Sequence, residues 1–271
     1  MFKKQIFDLY KNIDIPINEI SAEISMILDY LSINPLKEYK DGFSKKEEEK
    51  ILEIVKKRIE TGMPLQYILG FGYFMGEKFF VNHNTLIPRP ETEILVKECT
   101  KLINKDSLIL DIGTGSGCIA ISISKLTGAK VDGVDISKGA INVAKKNAKY
   151  HNTECHFYYS DIFSKVDKKY DLIVSNPPYI PEKDKETIEN NVKNFEPHAA
   201  LFAKDEFGIE FYEKIINQSV TFLNKNGYLC FEFGMNQSSL ICNILLRKGF
   251  SNIKKIKDFD DKDRVIIAKF F

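Results

Sequence analysis

With 271 residues, 44% of them hydrophobic and 28% charged, the chain has enough apolar content to bury a core in two domains and the polarity of a soluble globular protein. A formal net charge of +1 supplies no bulk attraction to nucleic acid. The five cysteines (Cys99, Cys118, Cys155, Cys230 and Cys242) form no C-x-x-C pair, which argues for reduced thiols rather than a zinc or disulfide framework.

The N-terminus, Met1-Phe2-Lys3-Lys4-Gln5, leads into amphipathic sequence rather than a signal peptide. No apolar run approaches the roughly 18 residues of a membrane span, so a cytoplasmic location without a membrane partner is expected. Ile6, Leu9, Tyr10 and Ile13 recur at helical spacing, as do Ile20, Ile24, Ile27, Leu28 and Leu31. Ser44 to Ile59 predicts a third helix, opened by a Ser44/Glu47 capping box and buried through Ile51, Leu52, Ile54, Val55 and Ile59. Residues 1–62 are therefore expected to form a small helical domain.

Between 63 and 90 the texture changes. Glycines and prolines punctuate aromatic runs at 71–74 and 78–81, which predicts a β-hairpin joining two domains. From 91 to 271 strands alternate with helices. The strands are expected at 108–112, 130–134, 156–159, 172–174, 227–233, 253–256 and 265–270, and the helices at 118–126, 140–151 and 208–223. This is an α/β pattern: a mostly parallel, seven-stranded, Rossmann-like sheet covered by helices, with an antiparallel hairpin at one edge.

Two turns carry the chemistry. Strand 108–112 runs into Asp111-Ile112-Gly113-Thr114-Gly115-Ser116-Gly117, where glycines permit a tight turn and bring backbone N–H groups to a ligand. Alone, such a loop is also compatible with a plain βα turn. The next strand ends at Asp135, 24 residues on (135 − 111), where a carboxylate can accept from both hydroxyls of a ribose. Nicotinamide, flavin and S-adenosylmethionine all fit that pair, but the G-x-G-x-G spacing after an aspartate resembles Rossmann-like methyltransferases. That resemblance implies S-adenosyl-L-methionine held by Gly113, Thr114, Gly115, Ser116, Gly117 and Asp135. It also puts Asp161 near the adenine edge and Phe163 against the ring, unless Phe163 is simply core.

Strand 170–175 ends in Asn176-Pro177-Pro178-Tyr179. Consecutive prolines fix φ and withhold two donors, leaving rigid carbonyl acceptors. The Asn176 Oδ1 and Pro177 carbonyl can hold both hydrogens of a planar amide or amino group and aim its lone pair at a sulfonium methyl. The Tyr179 face can favour the charge that develops. Neither a metal nor a strong general base is required. His83, His151, His156 and His198 fall in no catalytic pattern.

The tetrapeptide alone leaves protein, DNA and RNA nitrogens open. Leu86-Ile87-Pro88-Arg89-Pro90-Glu91-Thr92-Glu93, Gln66 to Gly70, Asp111 to Ser122, Ser175 to Ile180, Glu196 to Leu201, Glu232-Phe233-Gly234 with Gln237, and Asp258 with Arg264 resemble, in order, the bacterial release-factor N5-glutamine methyltransferases. The resemblance runs from about residue 60 to the end. It implies methylation of the glutamine in the Gly-Gly-Gln motif of class I peptide chain release factors. Asn176, Pro177, Pro178 and Tyr179 would then clamp the amide, Asn176 would also touch the cofactor, and Arg89, Glu91 and Glu93 would wall the pocket. The helical domain would dock the release factor, and no direct nucleic-acid substrate is expected. Family members often carry tryptophan where this chain has Phe163, and the chain contains none. The neighbouring alternatives are a ribosomal-protein glutamine, N6-adenine or N2-guanine methylation, and a binding module that has kept only the fold. A mixed-charge stretch, Pro181 to Asn194, reads as a mobile lid.

Overall fold

Local signals set the N-terminal helices. The computed structural model describes residues 2–11, 16–37 and 42–271, and Ile13 lies outside them. Helices α1 (Phe2–Tyr10), α2 (Ile17–Tyr30), α3 (Lys45–Thr61) and α4 (Leu65–Leu69) form one unit, residues 1–70 together with Glu189–Phe195. Helix α3 opens with the expected capping box, Ser44 and Glu47 exchanging side-chain and backbone hydrogen bonds. Ile6, Ile27, Ile51 and Val55 are buried at its core. Beside them the Tyr10 hydroxyl and Arg58 Nε donate to the two carboxylate oxygens of Glu23, at 2.6 and 3.0 Å, which ties α1, α2 and α3 together.

The second unit comprises Phe71–Ile188 and Glu196–Phe271. It begins with the predicted hairpin, β1 (Phe71–Phe74) and β2 (Glu77–Phe80). The hairpin is more than a connector. Phe74 and Phe79 are fully buried in the same cluster as Leu95, Cys99 and Ile121. Asn147 grips β2 at both ends of one residue, accepting from the Phe80 N–H and donating to its carbonyl.

Helix α5 (Thr92–Thr100) precedes a seven-stranded sheet built from β3 (Leu108–Ile112), β4 (Lys130–Asp135), β5 (His156–Tyr159), β6 (Tyr170–Ser175), β9 (Leu223–Glu232), β10 (Phe250–Lys257) and β11 (Asp263–Phe270). The order is β10-β11-β9-β6-β3-β4-β5, and β11 runs antiparallel to both neighbours. Helices α6 (Cys118–Thr127) and α7 (Lys138–His151) follow β3 and β4. The central strands are buried on both faces, as parallel strands must be, and two apolar clusters fill the two faces.

From β3 the chain steps to β4 and β5, then returns to β6 on the other side, so strand order reverses between β3 and β6. Open α/β sheets bind ligands at the carboxyl ends flanking such a reversal. Ile112 of β3 pairs with Ser175 of β6, and Ser175 in turn with Phe231 of β9. That register sets the turns after residues 112, 175 and 231 side by side.

The segment expected as a lid carries regular structure. Short β7 (Ile180–Pro181) pairs with β8 (Phe202–Ala203), a 3-10 turn covers Glu182–Thr187, and helix α8 (Asn190–Phe195) and helix α9 (His198–Leu201) follow. Helix α10 (Glu210–Phe222) matches expectation, whereas α11 (Ser238–Arg247) was not among the expected helices. Its Ile241, Ile244 and Leu245 recur at helical spacing on the buried side. Among the described residues, no helix is long and apolar enough to cross a membrane.

Candidate active site

The turn after β3 is held shut from below. Gly113 and Thr114 both donate N–H to the Val134 carbonyl at 2.9 Å, and the Thr114 hydroxyl donates to Asp111 Oδ2 at 2.6 Å. Gly113, Gly115 and Gly117 all have positive φ, at 71°, 55° and 80°, a conformation that favours glycine. Their surroundings differ. A Cβ on Gly113 would meet nothing within 4 Å and one on Gly115 only a backbone oxygen at 4.0 Å, so both present bare backbone to open space. A Cβ on Gly117 would lie 3.0 Å from the Phe157 ring and 3.1 Å from Ala144. Gly117 thus lets α6 close onto the sheet, and unlike Gly113 and Gly115 it is not part of a cavity wall.

That cavity, about 520 Å³, lies over the carboxyl ends of β3, β4 and β6. Its size suits a cofactor-sized ligand. Asp135 stands on its rim, accepting from the Gly115 N–H at 2.9 Å and the Ser137 N–H at 2.8 Å, one on each oxygen. Burial raises its carboxyl from the ordinary aspartate range, opposed by those N–H groups. Each oxygen keeps further acceptor capacity. Ser116 Oγ, in the same wall, is buried without a partner. An open glycine cradle, an orphaned hydroxyl and a carboxylate fit the polar parts of S-adenosyl-L-methionine.

Asp161 and Ile162 also line the cavity, but Phe163 does not. Its ring stacks on Phe222 with centroids 4.6 Å apart and planes 1° from parallel, inside the apolar cluster. The expected contact of Phe163 with a cofactor ring is therefore not what the structure places there. Ile162 takes a positive φ of 48°, which redirects the chain so that Ile162 meets the cavity and Phe163 the core.

Asn176, Pro177 and Pro178 form the opposite wall. Asn176 Nδ2 donates to Thr92 Oγ1 at 3.2 Å, which turns the amide nitrogen toward α5. Tyr179 stands outside the lining. Gln237 Nε2 donates to its carbonyl at 2.8 Å, its ring packs over Gly234, and burial pushes its phenol up to about 12. Arg89 does line the cavity, held by the buried carboxylate of Glu196, which also accepts the Ile87 N–H at 3.3 Å. Glu91 and Glu93 do not: Glu91 precedes α5 as its cap, and Glu93 accepts the Met75 N–H at 2.8 Å from the hairpin. Thr92, between them, does line the cavity, and His83 joins the wall.

Four positions thus matter that motif reading quoted without a role or passed over: Thr92, Glu196, Glu232 and Gln237. Each is a buried polar side chain, 5% exposed or less. All four fall in segments that carry the family resemblance, and Glu232 is also a polar residue inside an apolar stretch, Leu229 to Phe233.

The methyltransferase small domain family matches residues 90–202. The release factor glutamine methyltransferase of Fusobacterium nucleatum is 40% identical, aligned over 99% of this chain and 78% of its own length. That of Bacteroides thetaiotaomicron is 37% identical, over 98% and 96%. A crystal structure of a methyltransferase from Pyrococcus furiosus covers 72% of this chain and 90% of its own at a TM-score of 0.57; at 18% identity it shows the fold alone.

Proposed function

This chain belongs to the release factor glutamine methyltransferase family, and we propose that its cavity is where a methyl group passes from S-adenosyl-L-methionine to the side-chain amide nitrogen of the glutamine in the Gly-Gly-Gln motif of class I release factors. The enzyme is a methyltransferase acting on protein glutamine, and the bound cofactor supplies an electrophilic methyl on its sulfonium.

One observation carries the reading. The Asn176 amide nitrogen donates to Thr92, which leaves Oδ1 as the acceptor of this side chain, and Asn176 lines the cavity together with Gly113 and Gly115. A glutamine amide is a poor nucleophile because its lone pair is delocalised into the carbonyl. Asn176 Oδ1 and the Pro177 carbonyl hold its two hydrogens and turn the nitrogen toward the methyl. Tyr179, outside the lining, is fastened by Gln237 and anchors the end of the tetrapeptide. Orientation of this kind converts an encounter into an effectively unimolecular step. The product nitrogen, positively charged at first, loses its proton to water. Asp135 and the glycine turn hold the cofactor, Arg89 with Glu196 braces the mouth, and the helical unit binds the release factor away from the glutamine.

Incubation of the purified enzyme with methyl-labelled cofactor and, separately, a class I release factor, ribosomal proteins, DNA and ribosomal RNA tests this. Label is expected on the Gly-Gly-Gln peptide alone. Label on a ribosomal protein with none on the release factor would overturn the assignment, and label on nucleic acid that disappears with rising salt would favour the nucleic-acid reading.

A further inference from the structure

The register that sets Ser175 opposite Phe231 brings Asn176 and Glu232 next to each other at the ends of β6 and β9. Glu232 is 2% exposed. Its carboxyl has the Thr92 and Asn176 side chains as hydrogen-bonding neighbours, and its Oε2 has no partner. The Tyr212 hydroxyl donates to its backbone carbonyl at 2.8 Å, which pins the end of the strand. Burying a carboxyl that is not fully partnered is costly, and an apolar side chain of similar size would stabilise the fold better.

The cost has a use at this position. The two ends of an asparagine amide have nearly the same shape, so its neighbours decide which end faces where. Thr92 Oγ1 already accepts from Asn176 Nδ2, so the lone Thr92 proton is left for the acid. A carboxylate only accepts. Facing one, Asn176 must keep its N–H groups toward Glu232 and Thr92 and its oxygen toward the cavity. A protonated carboxyl can donate, and it tolerates the reversed amide with its oxygen turned inward.

We infer that Glu232 is a positioning residue whose ionised form locks the Asn176 amide with its oxygen toward the substrate nitrogen. The inference rests on the methyl-transfer reading of the site. Facing Glu232 are Arg264 from β11, Glu91 at the cap of α5, the Tyr179 and Tyr212 phenols, and the Cys118 thiol at the start of α6. Burial pushes the Glu232 carboxyl up to about 7, against the pull of Thr92 and Arg264. Its ionisation therefore falls near neutral pH, and kcat should decline as pH drops below about 7 while cofactor affinity stays level.

The test compares full-length wild type with Glu232→Gln, which keeps the volume. The kcat of the variant is expected to fall about 10- to 100-fold and to lose the acid limb, with the Kd for cofactor and the KM for release factor within about threefold. Asp111 is also pushed up to about 7 by burial, so Asp111→Asn is run alongside and should retain the limb. A second readout is the Asn176 side-chain amide resonance of the enzyme without substrate. It should shift with pH near 7 in wild type and stay fixed in Glu232→Gln. A Glu232→Gln enzyme with wild-type kcat, a persisting acid limb, or a pH-independent wild-type amide resonance would overturn the inference. A shifting resonance in an enzyme that methylates no glutamine would leave the orienting role standing and remove the substrate reading.

Discussion

Strands β3 and β6 are neighbours in the sheet, and the turns that leave their carboxyl ends face one cavity with opposite compositions. After β3 come Gly113 and Gly115 at positive φ, whose bare backbone meets open space while their N–H groups are spent on the Val134 carbonyl and on Asp135. After β6 come two prolines, which have no N–H and a fixed φ. One turn offers close approach to bare backbone and suits a ligand laid against it; the other withholds two backbone donors, presents carbonyl acceptors and suits N–H groups. A reaction that joins an electron-poor methyl to an N–H nucleophile needs both kinds of wall. The division of labour can be broken one side at a time.

The largest effect should come from the acceptor side. Asn176→Ala removes the side-chain acceptor proposed to hold the substrate amide, and kcat is expected to drop about 10²- to 10³-fold. Calorimetric affinity for the cofactor should hardly change. Comparable losses in both would show that the two walls do not act separately.

Next is a stability effect centred on the glycine side. Asp111 is fully buried beneath the glycine turn with Oδ1 unpartnered, and burial raises its pKa from 3.8 to about 7. The folded state therefore binds more protons than the unfolded state between about pH 4 and 7. Stability from this group is present below the unfolded value and is lost as pH rises toward 7. Denaturant unfolding of the cofactor-free protein should show Asp111→Asn gaining on wild type across that window, by on the order of a few kcal/mol, and levelling off above it.

Asp135→Ala should weaken cofactor binding roughly 10- to 100-fold, in line with the loss of hydrogen bonds to a charged group. Its kcat at saturating cofactor should fall less than that of Asn176→Ala, which is the mirror image of the first prediction. The smallest contrast lies within the glycine turn itself. Gly117→Ala should destabilise by about 1–3 kcal/mol because Phe157 and Ala144 must move. Gly113→Ala, with nothing within 4 Å, should cost only about 1 kcal/mol of backbone strain. Equal unfolding free energies would mean that Gly117 is retained for φ alone.

Much of this arrangement was legible before any coordinates. The seven strands were placed from alternation and turn residues, and Gly113 to Ser116, Asp135 and Asn176 all border the cavity. The hairpin at 71–80 was legible as a hairpin. Its membership in the core of the second unit was not, since that depends on Asn147, 67 residues away from Phe80. Phe163 was ambiguous for a similar reason. An aromatic after a strand packs outward or inward according to the φ of the residue before it, and nothing in the letters around Ile162 announces a left-handed conformation. Glu91 and Glu93 drew attention as charges in a distinctive segment, yet the uncharged Thr92 between them lines the cavity and they do not.

From the sequence alone came the order of strands and helices, the glycine turn, and the proline-rigid acceptors. These depend on spacing and on the φ preferences of individual residues, which act over a few positions. The tertiary structure decided which way each polar group faces. The Asn176 amide is oriented by Thr92, 84 residues earlier, and by Glu232 on the next strand, and Arg89 is braced by Glu196, 107 residues later. Such partners meet only after the sheet has formed, because the orientation of a symmetric-looking amide or a long guanidinium is set by contacts across strands and not by its own position in the chain.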